Sequence, residues 1–173
     1  FRSLVEELAA ALVAQQVDYV AGDACEGFNP VHDLCRLLAD TAVLVARRRG
    51  GRAIGDFEFA LEGAPDWRGG GEELAWELDD EALARKLAAA RDYPELVDEV
   101  ERALSLHGAD AFRRERLHAV EPLRTLAGRF DGKPQYERFG EERVAAGLYS
   151  RVLRYAEHYA PLTAALLARL QLN

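Results

Sequence analysis

The stretch AGDACEGFNPVHDLCR, residues 21–36, concentrates side chains that could do chemistry. Asp23 and Glu26 could bind a cation or exchange a proton, and His32 is suited to act as a metal ligand or base. The positive end of a helix dipole disfavours a charged imidazolium, and a neutral histidine has the lone pair that a metal requires. The stretch therefore predicts a functional site or, more simply, a helix start that Asp33 stabilises.

Three elements must position these side chains. Residues 17–21 are β-branched and aromatic and predict a strand, and residues 53–62 predict a second strand. The apolar stripe of residues 30–48 predicts a helix between them, with Asn29 as N-cap and Pro30 at its first position. Such a unit nearly always joins parallel strands. Because sites in open α/β sheets lie beyond the carboxyl ends of the strands, the loop after the first strand is the expected place for one.

Two burial expectations follow from this arrangement. In the second strand Phe57 and Phe59 alternate with Asp56 and Glu58, which predicts one apolar face and one face wetted by solvent. Cys35 lies on the apolar stripe of the helix, so we expect it to be a buried, hydrophobic side chain and not a metal ligand.

The whole chain predicts an α/β fold, with a small Rossmann-like parallel sheet, flanking helices and a mostly helical C-terminal region. We expect a partial α/β region at 1–108 and a helical extension at 109–173 packed on it as one structural unit. A third, short strand is expected at 73–78. Helices are expected at 3–16, 80–91, 94–107, 109–118, 138–159 and 161–171.

Charge and hydropathy limit the partners. The net charge of −8 argues against nucleic acid, since most of the surface would repel phosphates. The basic cluster at 46–52 suits the C-terminal end of a helix. No apolar run is long enough to predict a membrane span, and no signal-peptide pattern is present. We therefore expect a cytoplasmic protein that binds neither nucleic acid nor membrane.

A second dense stretch lies at 135–162. Arg154 and His158 are four residues apart and would share a helix face. One interpretation is a helix that closes over the loop at 22–33, with Tyr149, Arg154 or His158 binding a polar substrate. The simpler interpretation is a surface helix with ion pairs and tyrosines that bury their rings.

The order of these features resembles the LmbE/PIG-L-like zinc-dependent N-deacetylases, which remove acyl groups from amino sugars. Residues 29–32, Asn-Pro-Val-His, fall on the His-Pro-Asp-His motif that opens a helix in that family. The resemblance implies His32 as a zinc ligand, and Asn29 at the position of a histidine that polarises the substrate carbonyl. An asparagine there could still donate a hydrogen bond to an oxyanion. The stretch of residues 83–100 is similar to a second family helix at Lys86, Ala89 and Tyr93.

The chain does not contain the family's HPDDE motif, which carries the other two zinc ligands and the general base. It also begins without methionine, so we expect sequence upstream of Phe1 or a divergent relative. Zinc or another divalent metal is expected if those upstream ligands exist. An exposed sheet edge would need covering, so we also expect a homo-oligomer or a further segment.

Three functions remain open at this point. The first is a zinc-dependent amide hydrolase acting on a small polar substrate such as an N-acylated amino sugar, with Asn29 and Asp23 catalytic and Glu26 near the substrate. The second is a non-catalytic α/β–helical module that binds a ligand or assembles with a partner. The third is an unrelated hydrolase with a divalent metal bound by Asp23, Glu26, His32 and Asp33.

Overall fold

The computed structural model describes residues 1–67, 69, 71, 73–120 and 132–171. Those residues form an α/β structure built on one four-stranded mixed sheet, with strand order β1-β2-β4-β3. Within them, none of the helices combines the length and the apolar character needed to cross a membrane.

The strands and helices have the following bounds. The strands are β1 (Tyr19–Asp23), β2 (Gly55–Phe59), β3 (Glu73–Glu77) and β4 (Arg114–Ala119). The helices are α1 (Arg2–Ala14), α2 (Pro30–Gly50), α3 (Asp80–Arg91), α4 (Val97–His107), α5 (Gln135–Ala145) and α6 (Ala160–Gln171). Short 3-10 turns span Pro94–Leu96 and Ala109–Phe112, and a π-helical turn, Tyr155–Tyr159, leads into α6.

The sheet is parallel only between its first two strands. β1 pairs with β2 from Tyr19 opposite Gly55 to Asp23 opposite Phe59, as the strand–helix–strand pattern predicts. β4 then runs antiparallel to both β2 and β3. A helix predicted over 109–118 is therefore wrong: that segment is a 3-10 turn followed by β4. Pairing with strands on both sides outweighs the helix propensity of its arginine- and glutamate-rich sequence.

The apolar core lies between the sheet and the paired helices α1 and α2. Val5 and Ala9 of α1 pack with Leu37 and Val43 of α2, and Leu166 of α6 joins the same cluster. Because α6 reaches this core, the C-terminal end of the chain contributes to the packing of the first strand–helix–strand unit. The proposed division at residue 108 stays a prediction, although β4 on its C-terminal side completes the sheet.

The face of β2 that was expected to be wet is the buried one. Asp56 is 3% exposed and Glu58 is fully buried, whereas Phe57 and Phe59 are only partly buried. The alternation was predicted correctly, but its two faces are reversed. The reason lies in α2, where the buried Arg36 donates hydrogen bonds to Asp56 Oδ1 and to the Phe57 carbonyl, at 2.5 and 2.8 Å.

The expected burial of Cys35 is also wrong. Cys35 is exposed and Cys25 is buried. The buried face of α2 carries Asp33, Leu37 and Thr41, each four residues from the next. Leu38 and Ala42 of the predicted apolar stripe are buried as expected, but charged residues of α2 such as Arg36 are buried with them.

The helix predicted over 138–159 is interrupted. α5 ends at Ala145, and Gly147 adopts a left-handed φ of 71° that ends the helical path. The chain then runs irregularly until the π-helical turn, so the stretch folds back on itself. This return brings residues 149–158 beside α5 and beside the loop that follows β1.

Candidate functional site

Asp23 and His32 form a pair at the carboxyl end of β1. Asp23 is the last residue of that strand, and His32 lies in the first turn of α2. The Asp23 carboxylate is bonded to His32 Nδ1, and both side chains remain partly exposed. In a neutral imidazole, this bond keeps the proton on Nδ1 and leaves the Nε2 lone pair for a proton or a metal.

Asn29 caps α2, as the sequence predicts. Its side-chain oxygen accepts a hydrogen bond from the Val31 amide at 2.9 Å. The amide nitrogen of the same side chain remains a donor, so capping does not prevent a contact with an oxyanion.

Two further acids in the loop hold backbone amides. The Glu26 carboxylate accepts hydrogen bonds from the amides of Leu61, Glu62 and Gly63, at 3.0, 2.9 and 2.7 Å. The buried Asp33 carboxylate accepts hydrogen bonds from the Glu26 and Gly27 amides, at 3.0 and 3.2 Å. Burial raises the pKa of Asp33, although these backbone donors oppose the shift. Glu26 and Asp33 therefore fix the shape of the loop around the Asp23–His32 pair.

Tyrosines from the C-terminal part of the chain pack against the loop that follows β1. The Tyr159 hydroxyl donates a hydrogen bond to the Asp33 carbonyl at 2.6 Å and lies 3.7 Å from the sulfur of Cys25. Tyr155 stacks on Tyr159 with 5.5 Å between ring centroids. Burial raises the pKa of both Tyr136 and Tyr159, so these phenols stay protonated. The Tyr159 hydroxyl therefore bonds the start of α2 as a neutral donor.

A groove of about 740 Å³ opens between the start of α2, α5 and the segment after α5. It brings together three residues singled out from the sequence: Asn29, Tyr149 and His158. Its apolar lining comes from Phe28, Pro30, Tyr136, Phe139, Gly140, Tyr149, Val152 and Leu153, and its polar lining from Asn29, Gln135, Arg151 and His158.

Arg154 and His158 share a contact, but not through their charged ends. His158 Nδ1 lies 3.1 Å from the backbone amide nitrogen of Arg154 and 3.0 Å from its carbonyl oxygen. The Arg154 guanidinium instead bonds Glu137 and Glu141, at 3.1 and 2.8 Å. These bonds, first that to Glu141, raise the pKa of Arg154. Arg154 is therefore part of an ion-pair network with α5, and His158 is the member of the pair that lines the groove.

Sequence reasoning missed two buried polar groups. Arg36 bonds Asp40 and Asp56, at 2.5 Å each, inside the layer between α2 and the sheet. Glu58 on β2 lies opposite His118 on β4, and the Trp67 ring meets His118 edge-on with centroids 5.1 Å apart. The i,i+4 spacing of Arg36 and Asp40 within an apolar stripe was the available signal for the first group. The second group contains His118 on β4, a strand that the sequence pattern did not predict.

Within the part of the chain that the structure describes, no three His, Cys, Asp or Glu side chains form a group that could hold a metal ion. His32 is a single imidazole whose neighbour Asp23 bonds its other nitrogen, so these residues do not fit a complete zinc site. The sequence matches no family model, no curated protein and no solved structure. The family resemblance at residues 29–32 therefore stays a prediction.

Proposed function

We propose that this chain is a hydrolase resembling the amino-sugar N-deacetylases, which cleaves an amide with the Asp23–His32 pair at its centre. The observation that supports it best is the bond between the Asp23 carboxylate and His32 Nδ1 at the carboxyl end of a parallel strand. Pairs of this kind orient an imidazole and strengthen it as a base.

The roles of the residues follow from their atoms. His32 Nε2 takes a proton from a water molecule as the water oxygen bonds to the acyl carbon, and the amide oxygen becomes an oxyanion. The Asn29 amide group donates a hydrogen bond to that oxyanion. The proton on Nε2 then passes to the nitrogen as the carbon–nitrogen bond breaks, which yields a carboxylic acid and an amine.

Zinc, or another divalent metal, stays a prediction of the family resemblance. His32 would supply one ligand, and the remaining ligands would have to come from outside the described residues. No step above depends on a metal, because these residues do not form a metal site.

Amine release from an N-acetylated amino sugar tests the proposal, in the presence and absence of added zinc. His32→Ala is expected to reduce the rate at least about a hundredfold, and Asp23→Asn at least about tenfold, because the base or its orientation is lost. His107→Ala, at the distant end of α4, is the matched control and should retain activity. Elemental analysis of the wild type and His32→Ala measures metal content in parallel. Absence of amine release under both conditions would contradict the hydrolase.

The second candidate is a non-catalytic module that binds a ligand. The groove favours it, because its volume lies in the range of small-molecule sites and its walls are mostly apolar. Saturable binding of a small molecule, unaffected by His32→Ala and lost on changing the groove walls, would support this candidate.

A further inference from the structure

We propose that the groove binds a small molecule with an aromatic or other apolar body and one acidic group, and that Arg151 anchors the acid. This inference rests on the binding candidate above and not on the hydrolase. It would stand unchanged if the Asp23–His32 pair catalysed no reaction.

The walls of the groove specify the body of the ligand. Phe28, Phe139 and Tyr149 line it and are 40%, 42% and 52% exposed. Leu153 is exposed beside them, and the ring of Tyr136 closes the inner side. So much open aromatic surface in one concave place is characteristic of a site for a flat or elongated apolar group.

The charges of the groove specify the other end of the ligand. The chain has a net charge of −8, yet the described residues that line this groove include no Asp or Glu. Arg151 lines it, and among the described residues its guanidinium has no hydrogen-bonding or ion-pair partner. Arg154, three residues later, is by contrast bonded to Glu137 and Glu141. An unpaired guanidinium beside apolar walls is complementary to a carboxylate, sulfonate or phosphate.

A neutral donor could complete the recognition of the acid. His158 also lines the groove, and its Nδ1 lies 3.1 Å from the Arg154 amide nitrogen and 3.0 Å from the Arg154 carbonyl oxygen. Asn29 uses its oxygen as the helix cap and keeps its amide hydrogens. Asn29 lines the groove with Arg151, so an acidic group has a cation and a neutral donor within one site.

Two fluorescent probes that differ in charge test the proposal on the whole chain. 1-Anilinonaphthalene-8-sulfonate carries an aromatic body and an acid, and N-phenyl-1-naphthylamine has the same aromatic body without the acid. We expect the wild type to bind the sulfonate more tightly. Arg151→Gln should weaken binding of the sulfonate about tenfold and change binding of the neutral probe less than about twofold. Arg151→Lys should recover most of the sulfonate affinity.

Further variants separate the possible results. Phe139→Ala should weaken both probes, whereas Arg102→Gln on α4 and Trp76→Ala on β3, both outside the groove, should weaken neither. Circular dichroism checks that each variant is folded. If Arg151→Gln leaves the sulfonate affinity unchanged while Phe139→Ala weakens both probes, the groove binds apolar molecules and the acidic anchor is wrong. If neither variant changes either probe, the binding candidate and this inference are both wrong.

Discussion

The Tyr159 hydroxyl donates a hydrogen bond to the backbone carbonyl of Asp33 over a distance of 2.6 Å. This bond joins the C-terminal π-helical turn to the first turn of α2, and Asp33 in turn holds the amides of Glu26 and Gly27. The loop between Asp23 and α2 is therefore anchored to a residue more than a hundred positions later in the chain.

Tyr159→Phe tests the strength of this anchor. We expect the free energy of unfolding to fall by about 1 kcal/mol, because a partly buried hydrogen bond is lost while the ring is kept. Denaturant unfolding measures the change. Tyr93→Phe, which alters an exposed tyrosine, is the matched control and should change stability by less than about 0.5 kcal/mol. Equal effects of the two substitutions would contradict an anchoring role.

Two substitutions separate the role of Asn29 as the cap of α2 from its proposed role as an oxyanion donor. Asn29→Ala removes the cap and is expected to lower the free energy of unfolding by about 1 kcal/mol. Asn29→Asp keeps the capping oxygen and should retain stability, but it lacks the amide donor, so amide hydrolysis should fall at least about tenfold. Thermal unfolding and the amine-release assay measure the two effects. Full activity in a stable Asn29→Asp protein would exclude Asn29 as an oxyanion donor.

The buried Asp56 carboxyl makes stability depend on pH. Burial raises the pKa of Asp56 from its ordinary value of 3.8, although the Arg36 charge opposes the shift. An acid whose pKa is raised on folding holds its proton more tightly in the folded state, so its contribution to stability is lost as the pH rises through the folded pKa. Asp56→Asn removes the carboxyl group and with it this pH-dependent loss of stability. The side-chain oxygen of the asparagine can still accept a hydrogen bond from Arg36.

We therefore expect the stability of Asp56→Asn, relative to the wild type, to increase as the pH rises from about 4 towards 8. Urea unfolding at several pH values gives this difference directly. Asp92→Asn, at an exposed carboxylate after α3, is the matched control for the removal of one carboxyl group. A difference that is flat or falls with pH would show that the Asp56 carboxyl does not have a raised pKa.

Glu26 is expected to determine the conformation of residues 61–63. Glu26→Ala removes the acceptor for three backbone amides, and we expect a loss of about 2 kcal/mol, since bonds to a charged acceptor are the stronger kind. Hydrogen exchange at Leu61, Glu62 and Gly63 should accelerate in that variant. Glu62→Ala alters an exposed neighbour and should leave exchange at Leu61 and Gly63 nearly unchanged.

Local sequence signals predicted the first half of the fold well, because its elements are consecutive in the chain. β1, α2 and β2 follow from alternation, the Asn29 cap and the left-handed Gly51 that ends α2. β4 could not be found in this way, because it is a strand only through partners at 55–59 and 73–77. The reversed faces of β2 have a similar cause, since the partner of Asp56 is an arginine on another element.

The candidate site was likewise predicted only in part from the sequence. Asp23 and His32 were singled out from residue type and position, and the structure brings these two into contact. The groove forms because the chain turns back after Gly147. The sequence pattern predicted a continuous helix there, so Arg151 was not identified from the sequence. Arg154 was chosen instead from its i,i+4 spacing, which carries no information about Glu137 and Glu141 on the preceding helix.

The position of β4 has a consequence during synthesis. Among the strands of the described residues, β3 pairs with β4 alone, and the chain runs from Glu77 to Arg114 before β4 begins. At the rates at which ribosomes elongate chains, β3 waits roughly two to eight seconds for its partner. During that interval the segment that contains Leu74 and Trp76 has no partner strand to pair with. The nascent protein is then most exposed to pairing with the wrong chain, and a chaperone would have the most effect.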